Sequence, residues 1–164
     1  MNGSRLERML ARLTAQKAWL DMAAGAVRDL PGPVLEVGLG KGRTFDHLRH
    51  LMPGRRILCL DMDLHAPAAA RPPADDLLLG DFRETLPALR DRLGADLAAL
   101  AHADFGSEDR AHDAAQADWL GGLLRPLVRT GGLIVADRPL RLEGCAPLPP
   151  PADLRWPYFG WRVS

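Results

Sequence analysis

The sequence predicts an α/β protein with a mostly parallel, doubly wound sheet, and two patterns carry that prediction. Short apolar runs alternate with helical patterns along most of the chain, and this alternation is typical of a parallel sheet with crossover helices. The runs are apolar throughout, without every-second-residue polarity, as expected when both sheet faces are covered. A length of 164 residues favours one domain spanning residues 1–164.

The first element is predicted to be a long helix over residues 4–29. Ser4 followed by Glu7 is a capping-box pattern for its start, and apolar residues then recur at helical spacing. A Pro-Gly-Pro sequence at residues 31–33 ends the segment. We therefore assign residues 1–30 to an N-terminal helix that precedes the alternating part of the chain.

Five strands and four helical segments are predicted after this helix. The strands fall at residues 33–37, 56–61, 76–80, 97–102 and 132–137. The helical segments between them fall at residues 43–51, 64–71, 84–93 and 111–129. The chain then becomes rich in proline and ends in a cluster of aromatic residues, so we expect one or two antiparallel edge strands within residues 140–164.

Charge and composition limit the classes of partner. Lysine plus arginine number 21 and aspartate plus glutamate also number 21, so no broad positive field favours nucleic acid or an anionic membrane. The two cysteines, Cys59 and Cys145, lack the spacing of metal ligands. The sequence shows neither a run of membrane-span length nor the apolar core of a signal peptide, and we therefore expect a cytoplasmic location.

Three alternate glycines, Gly38, Gly40 and Gly42, lie in the turn between the first predicted strand and the next helix. Ligands bind at the carboxyl ends of parallel strands, and glycine allows bare backbone to approach them. The spacing does not match a P-loop, and a dinucleotide site would prefer glycine where Arg43 stands. Glu36 would repel a pyrophosphate, whereas it would attract the sulfonium and ammonium groups of S-adenosylmethionine.

With these residues the sequence resembles the class I S-adenosylmethionine-dependent methyltransferases. Their first motif, E-x-G-x-G-x-G, is matched by Glu36 and the three glycines, and the acidic residue ending their second strand by Asp61. Gly80-Asp81 matches their Gly-Asp pair after the third strand, and TGGLIVAD matches their fifth-strand pattern. The resemblance spans residues 33–137. It implies a doubly wound, Rossmann-like methyltransferase fold with a mostly parallel seven-stranded sheet, helices on both faces, and S-adenosylmethionine as cofactor.

The resemblance also implies a set of cofactor-binding residues. They are Glu36, Gly38, Leu39, Gly40, Gly42, Thr44, Asp61, Met62, Gly80, Asp81 and Phe82. The carboxylate of Glu36 and the glycine turn are expected to hold the methionine moiety. The start of the following helix and the Thr44 hydroxyl are expected to receive the carboxylate of that moiety.

The remaining matches are expected to bind the adenosine moiety. Asp61 would accept hydrogen bonds from the ribose hydroxyls, with Met62 against one adenine face. Asp81 would receive the adenine amino group, while the Phe82 backbone N–H reaches a ring nitrogen. Structural alternatives remain open for these residues. The glycines can serve backbone conformation alone, Asp61 can be a helix cap, and Asp81 can be a turn residue.

A general base is needed only if the methyl acceptor must lose a proton, and the end of the fourth predicted strand offers candidates. His102 is the first candidate, with Asp104 as base or orienting partner; alternatively, His102 is a hydrogen-bonded strand-end residue and Asp104 caps a turn. Ser107 and Glu108 follow in the same stretch. Arg138 stands where catechol-type methyltransferases place an amide metal ligand, so we expect no metal.

The expected activity is therefore methyl transfer from S-adenosylmethionine to a small molecule, with neither nucleic acid nor membrane as partner. Two alternatives are a non-catalytic S-adenosylmethionine-binding protein and a nicotinamide-dependent reductase, against which Glu36 counts. The aromatic residues Trp156, Tyr158, Phe159 and Trp161 either line an apolar acceptor site or, as we favour, seal the sheet edge or a dimer contact. A homodimer or higher homo-oligomer is a reasonable expectation for so small a protein.

Overall fold

The computed structural model describes residues 3–105 and 110–164. Its α-helices are α1 (Arg5–Ala26), α2 (Arg43–Leu51), α3 (Phe82–Leu93) and α4 (Arg110–Leu124). Its strands are β1 (Val34–Val37), β2 (Ile57–Asp61), β3 (Leu77–Leu79), β4 (Ala98–Ala103), β5 (Val128–Ala136), β6 (Cys145–Pro147) and β7 (Phe159–Val163). Short 3-10 turns lie at Ala68–Ala70, Ala74–Asp76 and Arg125–Leu127.

The seven strands form one sheet in the order β3-β2-β1-β4-β5-β7-β6. Strands β1 to β5 are parallel, while β7 is antiparallel to β5 and β6 is antiparallel to β7. The chain builds outward from β1 through β2 and β3, and then returns to place β4 on the other side of β1. The carboxyl ends of β1 and β4 therefore lie side by side at the point where strand order reverses, and this is where such sheets bind ligands.

Helices cover both faces of the sheet, as the sequence predicted, because each helix has one apolar face. On one face, α1 and α2 contribute Trp19, Leu20, Ala23, Phe45 and Leu48 to a core with Val34, Leu100 and Leu133. On the other face, α3 and α4 contribute Leu86, Leu89, Leu120 and Leu124 to a core with Leu35, Leu58 and Ile134. None of the helices in the described part of the chain has the length and apolar character needed to cross a bilayer.

The start of α1 follows the predicted capping box. The Ser4 hydroxyl accepts a hydrogen bond from the Glu7 backbone N–H at 3.1 Å, and the Glu7 carboxylate accepts one from the Ser4 N–H at 2.6 Å. Two of the N–H groups that an α-helix leaves unpaired at its start are thereby satisfied. The helix ends at Ala26, a few residues earlier than predicted.

Two predicted helices differ from the structure, and the first of them has a local reason. The segment predicted over residues 111–129 is α-helical only to Leu124, because Pro126 has no N–H and the chain passes through a 3-10 turn into β5 at Val128. The segment predicted over residues 64–71 forms only the 3-10 turn Ala68–Ala70.

The glycine turn after β1 is shaped by close contacts as well as by backbone conformation. Gly38 has φ +94°, and a Cβ there would lie 2.6 Å from the backbone oxygen of Asp104. Gly42 has φ +75° and is the N-cap of α2, and a Cβ there would lie 2.4 Å from the backbone oxygen of Ala70. For these two glycines the conformational interpretation left open by the sequence is sufficient.

We predict that Gly38→Ala destabilises the protein much more than Gly54→Ala. Both positions have positive φ, but a Cβ at Gly54 would meet no atom within 4 Å. Left-handed strain alone should cost Gly54→Ala about 1 kcal/mol, while Gly38→Ala adds a backbone collision and should cost roughly 3 kcal/mol or more. Urea unfolding of both variants tests this, and equal losses would contradict the close approach of β1 and β4.

Candidate functional site

Two adjoining hollows lie at the carboxyl ends of the parallel strands. The wide hollow, of about 340 Å³, is lined by residues that include Asp61, Met62, Asp81, Phe82, Phe105 and Trp119. The narrow hollow, of about 130 Å³, is lined by residues that include Arg12, Gln16, Gly38, Gly40, Thr44 and Asp104. A hydrogen bond of 2.7 Å from the Gly40 N–H to Asp61 Oδ2 links the walls of the two hollows.

Most residues expected from the sequence to bind a cofactor line one of these hollows. The narrow hollow contains Gly38, Leu39, Gly40 and Thr44. The wide hollow contains Asp61, Met62, Asp81 and Phe82. Glu36, Gly42 and Gly80 line neither of them. The structure thus brings the motifs together at one edge of the sheet, although they are far apart in sequence.

Asp61 joins the end of β2 to the glycine turn. One of its carboxylate oxygens accepts the Gly40 N–H, and the other accepts the Met62 N–H at 2.7 Å. A carboxylate has roughly four lone-pair positions, so Asp61 retains capacity for further donors from the wide hollow. Met62 beside it is half exposed, with 55% of its surface accessible.

Asp81 is the N-cap of α3, and its carboxylate accepts the Arg83 N–H at 2.8 Å. The sequence had left a turn residue open as the structural alternative for Asp81; Asp81 caps α3 and also lines the wide hollow. Phe82, the first residue of α3, packs edge-on against Phe105 with ring centroids 4.8 Å apart. The Arg83 guanidinium lies 4.6 Å from the Trp119 ring centre, so the walls of the wide hollow combine aromatic rings and a guanidinium with carboxylates.

Glu36 does not lie where the sequence argument placed it. Its side chain is fully buried beneath the narrow hollow. One carboxylate oxygen accepts a hydrogen bond from the Thr44 hydroxyl, and the other pairs with His102 Nδ1 at 2.8 Å. In this structure the carboxylate therefore holds the start of α2, and the Thr44 hydroxyl donates to it.

Glu36 belongs to a chain of four polar groups, here called the buried polar chain, which consists of Glu36, His102, Tyr158 and Asp104. His102 contacts Glu36 through Nδ1 and the Tyr158 hydroxyl through Nε2, the latter at 2.5 Å. The Tyr158 hydroxyl also lies 3.1 Å from Asp104 Oδ2. Because Asp104 lines the narrow hollow, the chain connects the interior of the sheet to that hollow.

The surroundings of His102 weigh against its expected role as the general base, which stays a prediction. His102 has no accessible surface, and both ring nitrogens are already hydrogen-bonded within the protein. A base must reach the proton that it removes, and His102 is separated from the narrow hollow by Tyr158 and Asp104. The alternative interpretation, a hydrogen-bonded residue at the end of a strand, describes its position.

The surroundings of the buried polar chain shift the acidities of its members. Burial alone would lower the pKa of His102, but the carboxylate of Glu36, followed by those of Asp104 and Asp137, outweighs burial and raises the pKa above its ordinary value of 6.5. Burial, followed by the charge of Asp104, raises the pKa of the Tyr158 phenol well above its usual range. Both shifts favour the protonated forms of the imidazole and the phenol, which lie between two carboxylates.

Asp104 is the group through which the buried polar chain reaches the narrow hollow. Its side chain is 3% exposed and forms an ion pair of 2.6 Å with Arg12 of α1, whose side chain is 44% exposed. Gln16, also on α1, donates a second hydrogen bond to Asp104. The first half of α1 thus forms a wall of the hollow, and an ion pair presents both signs of charge there.

Asp137 and Arg138, after β5, form a closed ion pair and a contact with the neighbouring loop. Two guanidinium nitrogens of Arg138 lie 2.8 and 2.9 Å from the two Asp137 oxygens. Arg138 also donates to the Phe105 backbone oxygen at 2.8 Å. Among the described residues, no group of three or more metal-ligating side chains is assembled. Ser107 and Glu108 lie outside the residues that the structure describes.

The C-terminal aromatic residues are divided between the interior and the surface of the sheet. Tyr158 is 4% exposed and hydrogen-bonds inside the protein. Together with Trp156, Phe159 and Trp161, it also lines a separate depression of about 560 Å³ beside Trp19. The sheet edge itself is covered by β6, which pairs with β7.

Several residues of the site were not assigned to it from the sequence, and Tyr158 was considered there only for an acceptor site or for sealing the sheet edge. Arg12, Gln16 and Tyr158 reach Asp104 from elements distant in sequence, and Phe105 and Trp119 line the wide hollow. One signal was available for Gln16, because it lies on the apolar face of α1 close to Trp19 and is itself buried. A polar residue on such a face generally has a buried hydrogen-bond partner.

The fold and the paired hollows define the class I S-adenosylmethionine-dependent methyltransferases, and comparison with known proteins agrees. A crystal structure of an S-adenosyl-L-methionine methyl transferase from Silicibacter pomeroyi DSS-3 is 38% identical, with a TM-score of 0.92, and covers 99% of this chain and 100% of its own. The family model for S-adenosyl-L-methionine methyltransferases matches residues 3–159, and the chain belongs to this family. S-adenosylmethionine is accordingly its cofactor.

More distant structures share the fold alone. Human methyltransferase-like protein 13 in complex with SAH is 16% identical with a TM-score of 0.53, and the match covers 78% of this chain and 63% of that one. A putative caffeoyl-CoA O-methyltransferase from Staphylococcus aureus is 13% identical with a TM-score of 0.52, over 73% and 56% of the two chains. A search of curated proteins found no match.

We predict that His102→Gln removes part of the pH dependence of stability. Because the folded-state pKa of His102 lies above 6.5, the folded protein holds this proton more tightly than the unfolded chain does. The resulting stabilisation is complete below pH 6.5 and is lost as pH rises through the folded-state pKa. Stability of the wild-type protein should therefore fall over that window.

Urea unfolding between about pH 6 and about pH 9 measures this effect. His65→Gln, at an exposed loop position, is the control and should follow the wild-type curve. A His102→Gln curve parallel to that of the wild type would contradict a protonated His102 in the folded protein.

Proposed function

We propose that the protein catalyses transfer of the methyl group of S-adenosylmethionine to a small-molecule acceptor. The observation that carries this proposal is the pair of adjoining hollows at the point where strand order reverses. They differ in chemistry, because the wide hollow offers ring faces and carboxylates, whereas the narrow hollow offers an ion pair. This difference suits a ligand that has a nucleoside at one end and an amino acid at the other.

The wide hollow suits the nucleoside end. Asp61 accepts one backbone N–H at each oxygen and has lone pairs left for a ribose diol, which needs a two-oxygen acceptor. Met62 and the Phe105 ring offer apolar contacts for a planar base. The free oxygen of Asp81 can accept an exocyclic amino group, as expected from the sequence.

The narrow hollow suits the zwitterionic end. Asp104 presents a carboxylate to an ammonium group, and Arg12 beside it presents a guanidinium to a carboxylate. The first turn of α2 adds unpaired N–H groups next to the same hollow. We therefore assign to Asp104 the attraction of positive charge that the sequence argument gave to Glu36.

The chemistry requires alignment more than it requires a reactive side chain. When bound, S-adenosylmethionine supplies a methyl carbon that bonds to the acceptor atom while the carbon–sulfur bond breaks and sulfur keeps the electron pair. The protein's part is to hold the donor at both ends, and fixed geometry of this kind can contribute several kcal/mol. Asp61 accepts hydrogen bonds from Gly40 and Met62, while Asp104 is held from α1 and by Tyr158, so both carboxylates are fixed in position.

A small acceptor is favoured by charge and by access. The chain is electrically balanced, which disfavours a polyanionic acceptor. Leu13 of α1 lines the narrow hollow, and Leu6, Met9 and Leu10 on the preceding turns are exposed. An acceptor with an apolar body would find a matching surface at the entrance beside α1.

One observation favours the second candidate, a non-catalytic S-adenosylmethionine-binding protein. His102 is buried, and both oxygens of Asp104 already accept hydrogen bonds from protein donors. If the acceptor must lose a proton, no carboxylate or imidazole among the described residues that line the narrow hollow is unoccupied. Turnover would then require an acceptor that is already a good nucleophile.

We predict micromolar binding of S-adenosylhomocysteine, a typical affinity for such a ligand, and no binding of NAD. Asp61→Ala should weaken binding at least about tenfold, because it removes the ribose acceptor. Asp63→Ala, two residues further along and exposed, is the matched control and should bind normally. Isothermal titration calorimetry measures all four cases, and NAD binding or an unaffected Asp61→Ala variant would contradict the proposed site.

Catalysis is tested separately from binding. The protein should release S-adenosylhomocysteine from S-adenosylmethionine when incubated with a pool of small apolar nucleophiles, and Asp61→Ala should reduce that release. Binding of S-adenosylhomocysteine without turnover on any acceptor would favour the non-catalytic candidate.

A further inference from the structure

The buried polar chain places a single hydroxyl between two groups that compete for its hydrogen. The Tyr158 hydroxyl lies 2.5 Å from His102 Nε2 and 3.1 Å from Asp104 Oδ2. A phenol has one hydrogen to donate, and an ionised carboxylate can only accept, so Tyr158 either donates to Asp104 and accepts from a protonated His102 Nε2, or donates to an unprotonated Nε2 and leaves Asp104 without that donor. The direction of this hydrogen decides how many donors Asp104 receives.

We propose that Tyr158 is a positioning residue of the methyl-transfer site, which donates its hydroxyl hydrogen to Asp104 because His102 is protonated on both ring nitrogens. In this arrangement His102 Nδ1–H donates to Glu36, Nε2–H donates to the Tyr158 oxygen, and Tyr158 donates onward to Asp104. The inference rests on the proposed function, because it assigns Asp104 to the ammonium end of the cofactor.

The charges around His102 support the doubly protonated ring. Glu36 faces it from β1, Asp104 from the end of β4 and Asp137 from the end of β5, while Arg12 of α1 is bound to the far side of Asp104. After the opposing effect of burial, these carboxylates raise the pKa of His102. The Tyr158 phenol keeps its proton, because burial and then Asp104 raise its pKa.

Burial gives a second reason to regard the arrangement as functional. His102 and Glu36 have no accessible surface, and they occupy positions directly opposite each other on β1 and β4. Their neighbours in β4 are alanine and leucine, which would fill these positions without ionisable groups. Burying a charged pair in place of apolar residues is often neutral or unfavourable for stability, so a contribution to the site explains the pair better than stability does.

The consequence for the site is a carboxylate fixed in position. Arg12 holds one oxygen of Asp104, while Gln16 and Tyr158 hold the other. Remaining lone-pair capacity can then meet an ammonium group at the narrow hollow without reorientation of the side chain. If His102 loses its second proton, the Tyr158 hydrogen turns to His102 Nε2 and Asp104 loses one of its three donors.

The test uses calorimetric titration of S-adenosylhomocysteine into the full chain between about pH 6 and about pH 9. Wild-type affinity should fall as pH rises through the folded-state pKa of His102. Tyr158→Phe, which keeps the ring and removes the hydroxyl, should bind about tenfold more weakly at neutral pH, because a hydrogen bond to a charged group is lost. Its remaining pH dependence should be smaller than that of the wild type.

Trp156→Phe is the matched control, since Trp156 belongs to the same loop but is not part of the buried polar chain. It should reproduce the wild-type affinity and pH profile. If Tyr158→Phe also reproduces them, Tyr158 serves packing alone and the inference is wrong.

Nitrogen-15 NMR of the histidine rings in the wild-type protein gives a readout that does not depend on any variant folding. At neutral pH, His102 should show protons on both ring nitrogens, and a single protonated nitrogen would overturn the inference.

The proposed function and the proposed role of Tyr158 can be refuted separately. No S-adenosylhomocysteine binding by the wild type would refute the proposed function, whereas normal binding with an unaltered Tyr158→Phe variant would refute only the role of Tyr158.

Discussion

The hydrogen-bonded contact between Glu36 and His102 is the interaction on which the site depends. These residues are register partners on β1 and β4, the two strands where the order of the sheet reverses. The pair is buried completely, so each member must find a partner inside the protein. Glu36 finds Thr44 at the start of α2, and His102 finds Tyr158 ahead of β7. One buried contact thereby fixes the glycine turn, the end of β4 and the C-terminal loop relative to one another.

Glu36, to which the sequence assigned the attraction of a positively charged ligand, is fully buried below the surface of the site. In the function proposed here, the negative charge near the methionine end belongs to Asp104, which lines the narrow hollow, and Glu36 is connected to Asp104 through His102 and Tyr158. In this arrangement, one residue meets the ligand, and other residues hold that residue in place. It also explains why a short chain recruits α1 to the site, since Arg12 and Gln16 of α1 complete the coordination of Asp104.

The sequence predicted what depends on local pattern. Short-range rules account for the capping box at Ser4, the bounds of α2 and the parallel direction of the first strands. The partners of His102 could not be predicted, because Tyr158 lies 56 residues away in a proline-rich loop without periodicity. The depth of Glu36 was missed for a related reason: sequence places a residue at the end of a strand but does not say which side of the turn its carboxylate faces.

The most direct test of this account is a high-resolution crystal structure of the protein with S-adenosylhomocysteine bound. The account predicts that the ligand's ammonium group lies within hydrogen-bond distance of the Asp104 carboxylate, while Glu36 keeps its contacts with Thr44 and His102. A ligand ammonium bound directly to Glu36, with Thr44 turned away, would contradict it.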